Sequence, residues 1–420
     1  MKAKDFLPIF YSYIAMIVLF TAAIIAVHFI PKQSIDENIV SSAKTLQEEG
    51  FNKRFLNLTI FKADNFTDTY MLNIAASADE NHAVDCALSN YTFTSGDPDT
   101  MAFDTERLAK HDSSDLSRDS YARYWHGYLV FLRPLLTITD YSGIRIINYI
   151  LLSALLIICL WLMWTKIAAH CSMIFAISLL MINFATVPYS MQFTTCFFVA
   201  FAGIAAILAV PQLTCSRPAA MSTFFILGGI TAFLDFLTTP LITLGLPLIT
   251  LILSRKPARA CRWIIGLSAM WISGYGMIWA SKWILAYYIT GHNIIADAFE
   301  AARLRAGNSV EGVNFSLSRI AGGICHSLAA KRLLIPVIIA AVATLSIMAW
   351  YMRKPEHRTA FANFAWLLLV AATVPVWFML LRNHSIVHYW FTWRNMVIVF
   401  FSVMLFCYHT LGIKCLFKKK

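Results

Sequence analysis

Residues 145–165 read RIINYILLSALLIICLWLMWT, a run of 21 residues in which Arg145 carries the only charge. A helix of that length rises about 30 Å, which is the thickness of the hydrocarbon core of a bilayer. The run therefore predicts a transmembrane helix. It decides the fold class because runs of the same kind recur from one end of the chain to the other.

The composition of the whole chain agrees with this interpretation. Of 420 residues, 59% are apolar and only 14% are charged, and the mean hydropathy is +0.64. The formal net charge is +11, but the basic residues stand in short clusters between apolar runs. That arrangement is typical of topology signals, and no basic stripe interleaved with aromatic residues appears. We therefore exclude nucleic acid as a partner.

About ten stretches are long and apolar enough to cross a bilayer, which predicts an all-α fold, a polytopic bundle of transmembrane helices. The fifth and sixth are short and are joined only by residues 235–240, so a pair of broken or re-entrant helices is an alternative there. The predicted spans are 8–30, 145–165, 169–187, 193–211, 219–235, 238–254, 262–282, 333–352, 360–381 and 396–413.

The orientation follows from the charges of the loops. If Lys2 and Lys4 are cytoplasmic, so are the basic clusters at 255–262, 353–358 and 414–420. The short loops on the other side carry no lysine or arginine. An excess of basic residues in cytoplasmic loops predicts a multi-pass protein of the cell (cytoplasmic) membrane with both termini in the cytoplasm.

Two large polar segments then lie outside the cell membrane. Within the first, 42–63 is predicted to form an amphipathic helix, and 122–134 a helix in the membrane interface. The resulting division is a first transmembrane helix at 1–30, a large extracytoplasmic loop with interfacial helices at 31–144, helices two to seven at 145–289, a second extracytoplasmic loop at 290–332, and helices eight to ten with a basic tail at 333–420.

Three carboxylates are candidate catalytic groups. Asp64 and Asp68 are four residues apart, so they share one helical face that leads into the semi-apolar stretch 66–78. Burial near the bilayer would raise the pKa of such an acid towards the range of a general base. Asp235 has the apolar neighbours Leu234 and Phe236. For all three acids the alternative is ordinary helix capping. For Asp235 a hydrogen bond between helices is a further alternative.

Histidine and arginine side chains form the second group of candidates. His384 and His388 are four residues apart and are followed by Arg394. Imidazole and guanidinium groups at a membrane interface suit a phosphate or pyrophosphate headgroup, and Arg303 and Arg305 carry the same interpretation. A zinc site would need at least a third ligand. The alternative is a belt of interfacial residues that anchors the last helix.

Several common sites are missing from the sequence. There is no Walker loop, no G-x-S-x-G elbow and no H-E-x-x-H motif. Ionisable residues within the predicted spans are few, which argues against a transporter with a proton or ion relay at the midplane.

Four local motifs stand out in this layout: Thr67-Asp68, Tyr124-Trp125-His126-Gly127-Tyr128, Asp235-Phe236-Leu237-Thr238 and the run from Asn383-His384-Ser385 to Arg394. With these motifs, the layout of nearly the whole chain, a long first outer loop with an acid followed by many spans, resembles the GT-C class of membrane glycosyltransferases. The usual pair of adjacent acids in the first loop is absent here, and Asp68 stands as a single acid beside Thr67.

This resemblance implies transfer of a sugar from a polyprenyl-phosphate donor to a cell-surface glycan, lipid or protein acceptor, with membrane lipids as surroundings. Asp68 would be the base. His384, His388 and Arg394 would hold the donor phosphate, and the wider binding set is Arg303, Arg305, Tyr124 and His126. No metal site is assigned, and a divalent cation is the one cofactor left open. The alternatives are a transporter or lipid flippase, and a membrane acyltransferase or polysaccharide polymerase.

Overall fold

The structure is a computed structural model that describes residues 6–54, 62–291, 293–307 and 355–410, with the short stretches 309–310, 313–314, 318–319 and 321–322. The helices in this part of the chain are α1 (Leu7–His28), α2 (Asp36–Glu49), α3 (Asn65–Ala76), α4 (Ala83–Ser89), α5 (Met101–Ala109), α6 (Leu129–Leu136), α7 (Tyr141–Lys166), α8 (Ala169–Met181), α9 (Met191–Ala209), α10 (Arg217–Leu234), α11 (Leu241–Arg255), α12 (Ala260–Thr290), α13 (Ile294–Ala306), α14 (Pro355–Phe364), α15 (Trp366–Ala371), α16 (Thr373–Leu380), α17 (Arg382–Val387), α18 (Tyr389–Thr392) and α19 (Met396–Thr410).

Two short antiparallel pairs of strands accompany the helices. The first pairs β1 (Tyr91–Thr94) with β2 (Ser117–Ser120), and the second pairs β3 (Ser309–Val310) with β4 (Val313–Asn314). The fold is all-α in class, because both pairs lie in connections between helices.

Six helices in the described residues are long and apolar enough to cross a membrane: α1, α7, α9, α10, α12 and the stretch Tyr389–Thr410. Shorter apolar helices occupy Ala169–Met181, Leu241–Arg255 and Trp366–Leu380. These nine correspond to nine of the predicted spans, and the tenth, 333–352, lies outside the described residues. Large apolar side chains such as Leu19, Ile157 and Trp161 are more than 60% exposed, as lipid-facing residues are.

Small residues bring α10 and α12 into backbone contact. A Cβ atom added at Gly274 would lie 2.0 Å from the carbonyl oxygen of Phe225, and one added at Gly228 would lie 2.1 Å from that of Trp271. Such close approach is how membrane helices associate without a hydrophobic driving force between them.

The described part of the segment that the sequence predicts to lie outside, residues 31–144, folds as a cap on one end of the bundle, which we call the loop-rich end. Its apolar core is continuous with the ends of α1, α7 and α9. The structure corrects two predictions here. The amphipathic helix predicted for 42–63 ends at Glu49, because Gly50 has a φ of 69°. The interfacial helix predicted for 122–134 begins only at Leu129, and Trp125 and Arg133 are fully buried in the fold.

Two buried cations attach this cap to the bundle. Arg133 on α6 donates to the carbonyl oxygens of Val27 at 2.8 Å and Ile30 at 2.6 Å, where α1 ends, and to that of Ala75 in the last turn of α3. Lys282 on α12 donates to Leu88 O at 2.8 Å in the last turn of α4. Helix C-termini carry unpaired carbonyls and a partial negative charge, so both cations are placed where a helix end stabilises them.

The contact between α10 and α12 gives a matched test. We expect Gly274→Ala to lower the free energy of unfolding by about 1–3 kcal/mol, since the new methyl group has no room. Gly276→Ala, where no atom lies within 4 Å of the added Cβ, should instead leave stability unchanged or raise it by a few tenths to about 1 kcal/mol. Chemical denaturation of both proteins in detergent measures the difference, and equal stabilities would contradict the packing described.

Candidate functional site

The break between α10 and α11 organises the polar residues of the loop-rich end. The sequence Asp235-Phe236-Leu237-Thr238-Thr239-Pro240 cannot continue a helix, because Pro240 lacks an N–H group and Leu237 has a φ of 70°. Both oxygens of the Asp235 carboxylate accept a hydrogen bond from the backbone N–H of Thr238 at 3.1 Å. The carboxylate thereby closes the turn, as the capping alternative expects.

Asp235 nevertheless lies in chemically unusual surroundings. Its side chain is 2% exposed, and burial raises its pKa to about 6, although hydrogen bonds from Cys196 and Thr238 act in the opposite direction. Its negative charge acts on Tyr124 and Tyr275, which are buried nearby. A carboxyl group with a pKa near 6 can accept a proton at neutral pH and is suited to general-base chemistry.

Aromatic rings form a wall beside this turn. The ring centroids of Tyr124 and Trp279 are 5.6 Å apart, and those of Tyr275 and Trp279 are 5.1 Å apart. Within the described residues the buried Tyr275 hydroxyl and Trp279 Nε1 have no hydrogen-bond partner. The guanidinium of Arg305 lies 5.8 Å from the centre of the Tyr124 ring. Aromatic faces with free donors, an acid and a cation form a surface that can bind a polar ring bearing an anionic group.

The two predicted histidines join the same turn. His384 Nε2 donates to the carbonyl oxygen of Leu237 at 2.9 Å, and the rings of His384 and His388 are 4.8 Å apart. Burial lowers the pKa of His388 to about 4 and that of His384 well below its usual range, and the charge of Arg305 adds to both shifts. Both imidazoles are therefore neutral at pH 7 and bring no positive charge. The single N–H of His384 is already bonded to Leu237, so only His388 can donate a hydrogen bond to a ligand.

An apolar groove of about 750 Å³ runs along the bundle between α6, α7, α9 and α10. It reaches from Tyr128 and Met191 at the loop-rich end to Leu213 near the opposite ends of α9 and α10. A much smaller pocket shares Thr195 and Leu234 with it and is completed by Met71, Gln192, Phe236 and Thr238. The end of the groove thus adjoins the residues that follow Asp235.

Neither Asp64 nor Asp68 lines this groove, although Asp68 binds the backbone of Met191, which does. Asp64 is the N-cap of α3 and accepts hydrogen bonds from Thr67 N at 3.1 Å and Thr67 Oγ1 at 2.8 Å. Burial raises its pKa to about 6. The capping alternative describes what this side chain does in the fold.

Asp68 is held within the fold by several hydrogen bonds. Its carboxylate accepts from the Tyr141 hydroxyl, from Gln192 N at 2.9 Å and from Met191 N at 3.2 Å. The side chain is fully buried, and burial raises its pKa to about 7. The side chain of Asp68, which belongs to α3, therefore caps the N-terminus of α9. Its geometry is that of a residue that joins the folded cap to the helix bundle.

The remaining predicted residues fall into different places. His126, with a φ of 54°, bonds to the carbonyl oxygen of Tyr121 at 2.9 Å and contacts Phe236. Arg303 is exposed on α13, two residues before Arg305.

Arg394 lies on the side of α9 that faces away from the groove. Its guanidinium contacts the ring of Phe193. The groove is lined by a different face of α9, which carries Met191, Thr194, Thr195 and Phe198. Among the described residues, no group of three potential metal ligands is found.

Sequence reasoning missed Tyr275 and Trp279, although a signal was present. Trp271, Tyr275, Trp279 and Trp283 recur every four residues along α12, and neighbouring rings are 5.0 to 5.9 Å apart. Such spacing places all four on one helical face. It also missed Gln192, whose buried side-chain oxygen has no partner in the part of the chain described.

No protein-family model matches the chain, and searches of the curated proteins and of the solved structures also returned no match. The class of protein is therefore given by the fold alone: an all-α protein whose described part contains six helices long and apolar enough to cross a membrane, with a buried polar turn close to the end of an apolar groove.

The role of Asp68 can be tested by stability. In Asp68→Ala the N–H of Gln192 would be buried without a partner. The Tyr141 hydroxyl and the N–H of Met191 would keep only their longer hydrogen bonds, to Tyr189 O at 3.4 Å and to the Tyr141 oxygen at 3.3 Å. We therefore expect the free energy of unfolding to fall by about 2 kcal/mol. Asp99→Ala, at an exposed acid of the same cap, is the control and should change it little. An Asp68→Ala protein as stable as the native one in denaturant titration would contradict this role.

Proposed function

We propose that the protein is a membrane glycosyltransferase that moves a sugar from a polyprenyl-phosphate donor to a glycan, lipid or protein acceptor. The observation that carries the proposal is the groove: a long apolar cavity along the bundle whose end, at Tyr128 and Leu234, is linked through Phe236 to the turn of Asp235 and to the ring of Tyr124. A lipid-linked sugar has the same two parts, a long apolar chain and a polar head. The resemblance of the layout to GT-C enzymes supports the same choice.

The distribution of lysine and arginine supports an orientation with the loop-rich end on the extracytoplasmic face and both termini in the cytoplasm. A layout of ten spans fits this orientation, with 333–352 as the eighth. The donor chain would lie in the groove, and the sugar would lie against Tyr124, Tyr275 and Trp279. Stacking on aromatic faces with hydrogen bonds from ring substituents is well suited to a pyranose.

The chemistry follows from the residues at the turn. Asp235, in place of Asp68, would take the proton of the acceptor hydroxyl. The acceptor oxygen would then form a bond to the anomeric carbon while the bond from that carbon to the phosphate oxygen breaks. The electron pair leaves with the polyprenyl phosphate, whose charge Arg305 would stabilise, with a hydrogen bond from His388, which His384 positions.

The groove can be tested by filling it. Ala202 lines the groove and its side chain is exposed, so Ala202→Trp should lower the rate of transfer of labelled sugar at least tenfold without disturbing the core. Ala269→Trp, at an exposed position of α12 that does not line the groove, should retain activity. Equal activity of the two proteins across a panel of polyprenyl-phosphate donors would contradict the proposal, as would movement of donor across the membrane with no covalent product.

The base can be tested by pH. Asp235 must be ionised to accept a proton, and its pKa is raised to about 6, so transfer should rise with pH and level off above about 6. Asp235→Asn should abolish transfer at every pH, whereas Asp99→Asn should keep the native profile. A folded Asp235→Asn protein with native activity would exclude Asp235 as the base.

A further inference from the structure

Gln192, at the start of α9, carries a buried polar group that lacks a partner. Its side chain is 5% exposed, and its Oε1 atom is buried with no hydrogen-bond partner in the part of the chain that the structure describes. The backbone N–H of the same residue donates to Asp68 at 2.9 Å, so the fold fixes this residue in place without using its amide oxygen. A polar atom buried in this way costs free energy unless something binds it.

Two buried amides of α3 show what a structural role looks like in this protein. Asn73 Oδ1 accepts a hydrogen bond from Phe93 N at 2.9 Å, and its Nδ2 donates to Phe93 O at 3.0 Å. Asn65 Oδ1 accepts from Arg145 at 3.2 Å. Both amides pair their oxygens within the fold, whereas Gln192 leaves its oxygen unpaired.

Gln192 lines the small pocket at the end of the apolar groove. The other residues around this pocket are Met71, Thr195, Leu234, Phe236 and Thr238. The pocket has no room for a water molecule, so ordered water cannot satisfy the amide there. The amide oxygen therefore belongs to a dry and largely apolar space.

The small pocket lies between the groove and the polar turn. It shares Thr195 with the groove. On its other side, the N–H of Thr238 donates to both oxygens of Asp235 at 3.1 Å. The ring of Phe236 is 5.8 Å from that of Tyr124, against which the transferred sugar is proposed to lie. A group that enters the pocket would thus belong to a molecule that joins the groove to Asp235.

The unpaired atom decides the chemistry of this group. Oε1 is an acceptor, so its partner must donate a hydrogen. In a lipid-linked sugar the phosphate diester offers only acceptor oxygens and the isoprenoid chain offers no polar atom, which leaves the sugar hydroxyls as donors. The pocket is too small for a sugar ring, so a single ring substituent would enter it. Met71 forms part of the wall, and its flexible, unbranched side chain can shift to admit that substituent.

We infer that Gln192 is a specificity-determining residue, whose Oε1 accepts a hydrogen bond from one hydroxyl group of the transferred sugar. The inference rests on the proposed transferase function and narrows the donor to sugars with a free hydroxyl at the position that faces the small pocket. A site built to bind a hydroxyl leaves its own buried acceptor unpaired when that hydroxyl is missing, so it rejects the deoxy analogue.

The first test uses the polyprenyl-phosphate sugar that the native protein transfers, with analogues in which one sugar hydroxyl at a time is replaced by hydrogen or by fluorine. At one position we expect both replacements to lower kcat/KM at least about tenfold, because neither substituent can donate a hydrogen bond. In Gln192→Leu the native donor and these two analogues should have kcat/KM values within about twofold of one another. Gln212→Leu changes an exposed glutamine that lines neither the groove nor the small pocket, and it should keep the native discrimination.

Stability gives a second measurement that does not depend on activity. Leucine has a similar size and no polar atom, so Gln192→Leu should unfold in denaturant at the native midpoint or above it. An amide that is paired within the fold would give a lower midpoint.

Three results would overturn the inference and leave the transferase proposal standing: transfer that depends on no single hydroxyl, discrimination that persists in Gln192→Leu, or a Gln192→Leu protein less stable than the native one. Absence of transfer by the native protein from every polyprenyl-phosphate donor would overturn both.

Discussion

The rest of the structure depends on the pairing of buried charges with helix ends. Asp68 accepts the N–H groups at the start of α9, Arg133 donates to carbonyls at the ends of α1 and α3, and Lys282 donates at the end of α4. Close to lipid no water is available to satisfy such groups, so an unpaired helix end or an unpaired charge would each be costly. Each pairing removes both costs and fixes the cap on the bundle.

This rigid attachment explains why the groove can end at a defined place. Asp68 holds the first turn of α9, and the next residues of that helix, Thr194 and Thr195, line the groove. Met71, one turn further along α3, lines the small pocket near Asp235. The position of the cap therefore sets the geometry where the apolar groove meets the polar turn. An ion pair also supports it, since Arg145 on α7 binds both oxygens of Glu49 at 2.8 Å.

The sequence predicts much of this fold because lipid imposes strong patterns. Runs of apolar residues mark nine helices, and Pro240 with its polar neighbours marks the break between α10 and α11. The cap is harder, because its helices are short and their ends depend on long-range contacts. Nothing local shows that Arg133 reaches the end of α1, so a sequence of tyrosine, tryptophan and arginine at 122–134 suggests an interfacial helix instead.

The candidate site, too, could be predicted from the sequence only in part. Asp235, His384 and Arg305 are predictable as polar residues at one end of the bundle, and the structure brings them to one turn. The roles of Asp68 and Arg394 are not predictable in this way. The residues around Asp68 in the sequence would look the same whether it capped a distant helix or acted as a base. Likewise, the residues around Arg394 do not show that it lies on the face of α9 away from the groove and not beside a phosphate. The neutral state of His388 follows from its burial, and the spacing of residues in the sequence does not reveal burial.

The central claim is that the groove holds a long isoprenoid chain. The most direct measurement is photo-crosslinking with a polyprenyl phosphate that carries a benzophenone on its chain, followed by mass spectrometry of the labelled peptides. The account predicts labels on the groove faces of α9 and α10, between Phe198 and Ala206 and between Ile226 and Leu234, which unlabelled polyprenyl phosphate competes away. Labels confined to the outer faces of α1 or α12, or labelling that unlabelled lipid does not reduce, would contradict it.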